Sequence, residues 1–255
     1  MFKPRLLRET AEIALTEIKR DIESKITEEF SLRRVSAPLY LPVGSGLNDP
    51  GEVVKFILPS NGEEMEIVRG LNCWLRSQLV RYDIAPGFGV FTVMNALQPD
   101  VAETATTSPH RSAWAWQQVV DVDHSDSEHL ANTGKRVYSV LQQTEEMILK
   151  RFPHLKSTLP QRFVVLTENE LANKIPDATP DRREYEYLHE RQNRALLLID
   201  ENLNSRIIVW NPVVGCPIPL AEIAIDQSKP INSIGGTILR DQLAMQILHQ
   251  PHLLR

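Results

Sequence analysis

The chain has 255 residues, 42% of them hydrophobic and 24% charged, which is enough to bury the core of one ordinary domain. A formal net charge of -5 argues against a surface dominated by nucleic-acid contacts, and no apolar run reaches the roughly 20 residues a membrane span needs. Cys73 and Cys216 are far apart and lack metal-ligand spacing, and MFKPRLLRETAEIAL lacks the apolar stretch of a signal peptide, so a reduced, cytoplasmic setting is expected. Membrane and nucleic-acid partners are not expected, nor is a metal.

No internal repeat or low-complexity linker interrupts the chain, so one domain over residues 1–255 is expected. Arg5 to Phe30 places Leu7, Ala11, Ala14, Ile18, Ile22 and Ile26 at three- and four-residue steps, an amphipathic helix. Arg34 to Leu39 reads as a short strand stopped by Pro38, which cannot donate to a ladder. Glu52 to Leu58 and Glu64 to Arg69 read as a hairpin closed by Pro59-Ser60-Asn61-Gly62. Leu71 to Val80 is helical in pattern and is broken by Ala85-Pro86-Gly87.

Gly89 to Val120 carries two alternating segments, GVFTVMNALQPD and SAWAWQQVV, joined by a polar loop. They read as strands with one packed face and one available face, and the available face is poor in charge. Asp126 to Arg151 is a second long helix, with Val137, Val140, Leu141, Thr144, Met147 and Ile148 on one stripe. Arg162 to Leu166, Ala195 to Asp200 and Arg206 to Trp210 read as strands, with helices at Glu168 to Lys174 and Pro180 to Arg194. No element is read between Trp210 and Ile238, and Ile238 to His249 reads as a closing helix. The result is an α+β class, an antiparallel sheet flanked by helices.

Several segments in this order, Val43-Gly44-x-Gly46-x-x-Asp49, Ala96-Leu97-x-Pro99-Asp100, Trp114-x-Trp116, Val209-Trp210-Asn211-Pro212-Val213 and Gly235-Gly236, together with Pro251-His252, carry a resemblance. The chain resembles the ammonia-dependent asparagine synthetases, or aspartate-ammonia ligases, as a shortened and divergent member. That resemblance implies the catalytic fold of class II aminoacyl-tRNA synthetases and condensation of aspartate with ammonia through an aspartyl-adenylate. It also implies a dimer formed through the first helix and the segment Val35-x-Ala37-Pro38, with Val35 and Pro38 at the interface, either with itself or with a catalytic synthetase paralogue. ATP and Mg²⁺ are implied if the ancestral activity survives, and an amino acid or nucleotide is the small-molecule ligand expected.

The former substrate and nucleotide pocket comprises Asp49, Gly70, Leu75, Arg76, Gln98, Ala113, Ala115 and Gln242. Asp49 stands where the family binds the substrate ammonium. The family has serine at the position of Gly70, a substrate lysine at Leu75, a phosphate-clamping arginine at Gln98 and a nucleotide-stacking arginine at Gln242. Its Asp-Gln-Trp-Asp-Trp strand becomes Ser112-Ala113-Trp114-Ala115-Trp116, and its metal-facing glutamate becomes Pro219. A family Asp becomes Arg206, and a loop expected between about Ile199 and Arg206 is missing. No catalytic residue is assigned, and the expectation is a catalytically impaired or repurposed paralogue, with an active ligase as the alternative.

Other readings stay open. Asp49 is either a ligand-binding carboxylate or a turn residue bonding its own backbone. Cys73 and Cys216 read as packed thiols, and Trp114 and Trp116 as core residues or a ligand platform. The run from Asp121 to Asp126 is either a metal site or a loop favouring the next helix. Arg240 either replaces the missing arginine or does not, and Arg69, Arg76, His110 and Arg111 form either an anion pocket or scattered salt bridges.

Overall fold

The computed structural model describes residues 6–121 and 126–249. Its helices are α1 (Arg8–Glu29), α2 (Asn72–Arg81), α3 (Ser127–Arg151), α4 (Glu168–Lys174), α5 (Pro180–Glu190) and α6 (Arg240–Leu248). Its strands are β1 (Leu32–Arg34), β2 (Tyr40–Pro42), β3 (Lys55–Ile57), β4 (Glu64–Ile67), β5 (Gly89–Leu97), β6 (His110–Val119), β7 (Arg162–Thr167), β8 (Arg194–Ile199), β9 (Asn204–Asn211), β10 (Cys216–Asp226) and β11 (Ser233–Leu239). Eight strands form one sheet in the order β1-β5-β6-β11-β10-β9-β8-β7, and β2-β4-β3 form a small second sheet. The large sheet is antiparallel except at its two ends, where β1 pairs with β5 and β7 with β8 in parallel. This is the α+β architecture, with the expected antiparallel sheet bordered by two parallel pairs.

The alternation of side chains along each strand divides the sheet into two unequal faces. One face, carrying Phe91, Trp114, Trp116, Ile234, Ile238, Ile223 and Val209, packs against α1, α3 and α6. Trp116 stacks on Phe30 with ring centroids 4.5 Å apart, and Trp114 Nε1 donates to Glu23 of α1 at 3.3 Å, so both tryptophans are core residues. The other face is covered in two places. α2 packs with β5 and β6, and a separate apolar cluster unites α4 and α5 with β8 and β9. Between those two coverings the strip over β6, β11, β10 and β9 stays open, and the functional groove lies there.

Several boundaries differ from those expected. The strand read at Arg34 to Leu39 ends at Arg34; Val35 still donates to Phe91, but its carbonyl accepts from Thr92 Oγ1 at 2.8 Å instead of extending a ladder toward Pro38. The strand read over Glu52 to Leu58 is confined to Lys55–Ile57, and the helix read from Pro180 to Arg194 ends at Glu190, because Arg194 joins β8 opposite Arg162. The closing helix starts at Arg240, since Ile238 and Leu239 belong to β11. β10 and β11 are both additions. Pro217 and Pro219 in β10 remove two donors, yet both precede Ala221, where pairing with β11 begins, so no ladder bond on that side is lost. The start of the first helix at Arg5, part of the acidic run Asp121 to Asp126, and Pro251-His252 lie outside the described residues; Asp126 itself caps α3, accepting from the His129 amide at 2.7 Å.

A buried carboxylate ties α3 to the chain that follows it. Glu145, 2% exposed, accepts from Ser157 Oγ at 2.7 Å, from the Thr158 amide and hydroxyl at 2.6 and 2.9 Å, and from the Leu159 amide at 2.9 Å. Removing it strands a buried amide, that of Leu159, and a part-buried one, that of Thr158. Glu145→Ala is expected to cost about 2–4 kcal/mol, with Glu145→Gln intermediate; urea denaturation midpoints at constant m-value check this.

Candidate functional site

The register of the sheet lays out the floor of the groove in rows. Ala115, Thr237, Glu222 and Arg206 are successive partners across β6, β11, β10 and β9. Gln117, Gly235, Ala224 and Asn204 form the next row, and Val119, Ser233 and Asp226 the one after. A β-bulge between Pro219 and Ala221 buries both Leu220 and Ala221, and it returns Glu222 to the groove face. Two cavities lie along this floor, one of about 460 Å³ and one of about 320 Å³, and Glu222 lines both.

The larger cavity is bounded by the N-terminal end of α2. Leu71, at the helix N-cap position, offers no side-chain acceptor, and Asp49 supplies one from a distant loop, accepting from the Cys73 amide at 3.1 Å and from Asn72 Nδ2 at 2.8 Å. Asp49 is therefore bound to another element, rather than to its own turn, while its carboxylate also lines the cavity. A Cβ on Gly70 would overlap that carboxylate, so the glycine is what admits Asp49. Arg76, one turn further along α2, also lines this cavity; its two terminal nitrogens are engaged, bridging to Asp226 and donating to Ser228 Oγ and O at 2.5 Å each and to Ile231 O at 2.7 Å, while its buried Nε has no partner.

The expected substrate positions beneath α2 are closed. Leu75 and Ala113 are 0% exposed and Ala115 is 1% exposed, and all three belong to one hydrophobic cluster with Leu71, Leu79, Val90 and Met94. Arg111, Ala113, Ala115 and Gln117 share one face of β6, so along this strand the groove is apolar and packed under Leu75 between Arg111, which lines the smaller cavity, and Gln117, which lines the larger.

The smaller cavity contains Gln98 and Gln242. Gln98 donates to the Arg69 carbonyl at 3.3 Å, and Gln242 donates to the Thr106 carbonyl at 3.3 Å, so both amides fasten protein loops. Arg111 lines the cavity but is bridged to Glu222, while Glu103 and Asp241 add further negative charge. Arg240 does not replace the missing arginine; its Nε lies 3.3 Å from Asp241 and it is not among the cavity's lining residues. Arg69, Arg76 and Arg111 are each spent on a carboxylate, Asp100, Asp226 and Glu222 respectively, which is the salt-bridge reading and not a shared anion pocket. Arg69 also donates to the carbonyls of Pro50 and Glu52 at 2.9 and 3.0 Å, and its hydrogen bond with Asp100 raises its own pKa and lowers that of Asp100.

Gln117, Asp200, Glu222 and Asp226 were not singled out from the sequence, yet they line the larger cavity. Assigning β10 as a strand would have exposed Glu222, Ala224 and Asp226 as one face. Between Ile199 and Arg206, where the resemblance implies a longer loop, the chain makes a tight turn in which Asp200 accepts from the amides of Asn202 and Asn204 at 2.8 and 2.9 Å. Arg206 bridges to Glu184 at 2.6 Å. Burial, followed by the charge of Asp49, raises the Cys73 thiol pKa, and burial raises that of Cys216; neither is poised as a nucleophile. Among the described residues no three His, Cys, Asp or Glu side chains converge as a metal site.

Three comparisons bear on this geometry. Residues 9–232 match the family model described as aspartate-ammonia ligase. An aspartate-ammonia ligase of Bacillus cereus is 32% identical over 241 residues, spanning 86% of this chain and 73% of its own length, and one of Fusobacterium nucleatum is 33% identical over 236 residues, spanning 84% and 72%. In fold, the chain is similar to the asparaginyl-tRNA synthetase of Pyrococcus horikoshii complexed with asparaginyl-adenylate, with a TM-score of 0.70 and 11% identity, covering 96% of this chain and 67% of that one. It is likewise similar to the Entamoeba histolytica asparaginyl-tRNA synthetase, with a TM-score of 0.69, also covering 96% of this chain but 65% of that one.

The closed strip under α2 makes Leu75→Lys a strong test, because it buries a charge with no partner. Unfolding is expected to cost at least about 3 kcal/mol less than in the parent, against less than about 1.5 kcal/mol for Leu75→Met, read from denaturant midpoints. Burial works to raise the Asp226 pKa, but Ser228 and Arg76 outweigh it and hold the carboxyl below its usual range. Its contribution is present above the ordinary carboxylate range near 4 and is lost as pH falls through the lower folded value. Asp226→Asn should therefore lower the unfolding free energy at neutral pH by no more than about 1 kcal/mol because the pair is partly exposed, seen as a lower melting temperature, and the gap should close below about pH 4.

Proposed function

Because the chain belongs to the aspartate-ammonia ligase family, we propose that it retains the family scaffold as a catalytically silent or repurposed member, a dimeric ligand-sensing or regulatory protein that does not form aspartyl-adenylate. The observation that carries this reading is the apolar closure by Leu75, Ala113 and Ala115, where substrate-binding polar groups are expected.

Adenylate formation needs cationic donors aimed at a nucleotide phosphate and a cation for the substrate carboxylate. The smaller cavity offers Gln98 and Gln242, both turned to loop carbonyls, and an arginine already neutralised by Glu222. The larger cavity's guanidiniums, Arg76 and Arg206, are likewise bound to carboxylates. Mg²⁺–ATP is therefore a poor fit to these residues. Losing one charge-stabilising donor costs on the order of 10²- to 10³-fold in rate, and losses within one site are not additive, yet no discount restores efficient adenylation when several vanish together.

Dimerisation through α1 and the segment containing Val35 and Pro38 fits the half-buried setting of both residues beside the sheet edge. The partner is a second copy or a catalytic paralogue, and the cytoplasm is the compartment this reading assigns. Protein incubated with ATP, Mg²⁺, aspartate and ammonia should release no AMP or asparagine above a protein-free control, and calorimetric titration with ATP should give no binding heat. Sustained AMP release tied to asparagine would establish the active ligase instead.

A further inference from the structure

We propose that the larger cavity binds a net-cationic primary amine, a diamine or basic amino acid, in place of an acidic amino acid. The assignment rests on the reading that this chain does not adenylate aspartate.

Two independent observations support it. The first is charge. The cavity is lined by the carboxylates of Asp49, Glu168, Asp200, Glu222 and Asp226 against the guanidiniums of Arg76 and Arg206, a surplus of three negative charges. Both guanidiniums are bound to carboxylates, Arg206 to Glu184 outside the lining and Arg76 to Asp226, so neither is free for a ligand carboxylate. An anionic amino acid would meet acceptors and like charge, whereas an ammonium brings three donors and opposite charge.

The second is Gln117. Its side chain lines the cavity floor, the residue is 5% exposed, and its Oε1 has no hydrogen-bond partner. A buried acceptor left unpaired costs free energy that a ligand donor can recover. The position is built for that amide: a Cβ on Gly235, its partner across β11, would overlap the Gln117 side chain. Of the polar donors at the cavity wall, Asn72 Nδ2 is committed to Asp49, Asn204 Nδ2 to Asp200 and Ser205 Oγ to the Ile223 carbonyl, while Arg76 Nε is buried without a partner. At about 460 Å³ the space lies in the range of about 300–1,000 Å³ typical of small-molecule sites.

Calorimetric titration of the full chain with lysine, cadaverine and aspartate at low ionic strength tests the assignment. The amines should bind saturably and aspartate should not, with affinity falling as sodium chloride is added. Gln117→Leu should weaken amine binding by about tenfold or more. Glu168→Gln, an exposed change that leaves folding intact, should weaken it by a smaller factor. Aspartate binding more tightly than either amine, no saturable heat from any amine, or unchanged affinity in both variants would overturn the proposal. The AMP assay separates the two readings: aspartate binding without AMP release removes the amine assignment alone, whereas aspartate-dependent AMP release removes the non-catalytic reading on which it rests.

Discussion

The docking of α2 on the sheet is the constraint from which the site follows. Leu75 is buried against Ala113 and Ala115, and burying one such side chain is worth roughly 1.5–3 kcal/mol. With that side chain inward, the next residue, Arg76, leaves the helix over the groove and is gathered by Asp226, Ser228 and Ile231. The same placement presents the first amides of α2 to Asp49. A lysine at position 75 would need polar company at 113 and 115, and with alanine at both positions the three residues form one apolar packing unit.

Charge in the groove follows a consistent rule. Arginines at its walls are closed against carboxylates of neighbouring elements, Arg76 with Asp226, Arg111 with Glu222 and Arg206 with Glu184, and Arg69, outside the cavity linings, is closed against Asp100. Each bridge joins segments distant in sequence, so these ions fix the geometry of the groove and have little capacity left for an incoming anion. Partly exposed bridges contribute modestly to stability, but their effect on recognition is larger, because a guanidinium already paired must give up that partner before it can bind a phosphate or carboxylate.

Legibility in the sequence followed the strength of local patterning. α1 and α3 were readable from helical spacing, and β5 and β6 from alternation, because these elements bury one continuous stripe or face. β10 and β11 were not readable, since Pro217 and Pro219 interrupt the first and Gly235 and Gly236 dilute the second; tertiary pairing overrides both weak propensities. For the site, family motifs located Asp49, Arg76, Gln98 and Gln242 at cavity walls, but they could not show that Leu75, Ala113 and Ala115 fill one another's space. Gln117 and Asp226 stayed hidden because their role depends on which strands lie side by side.

The bulge at Leu220 shows why a motif compared position by position misstates this site. The resemblance implies a glutamate at the position of Pro219, and proline there suggests a carboxylate missing from the floor. The extra residue shifts the alternation of β10, however, and Glu222 appears on the groove face three positions later, lining both cavities. A carboxylate is therefore present, but its chemistry is changed by its neighbour, since Arg111 takes it as a bridge partner. What distinguishes this groove from a nucleotide site is not the number of acids it carries but the absence of any unpaired cation facing them, and that property belongs to the folded register, not to any single substitution.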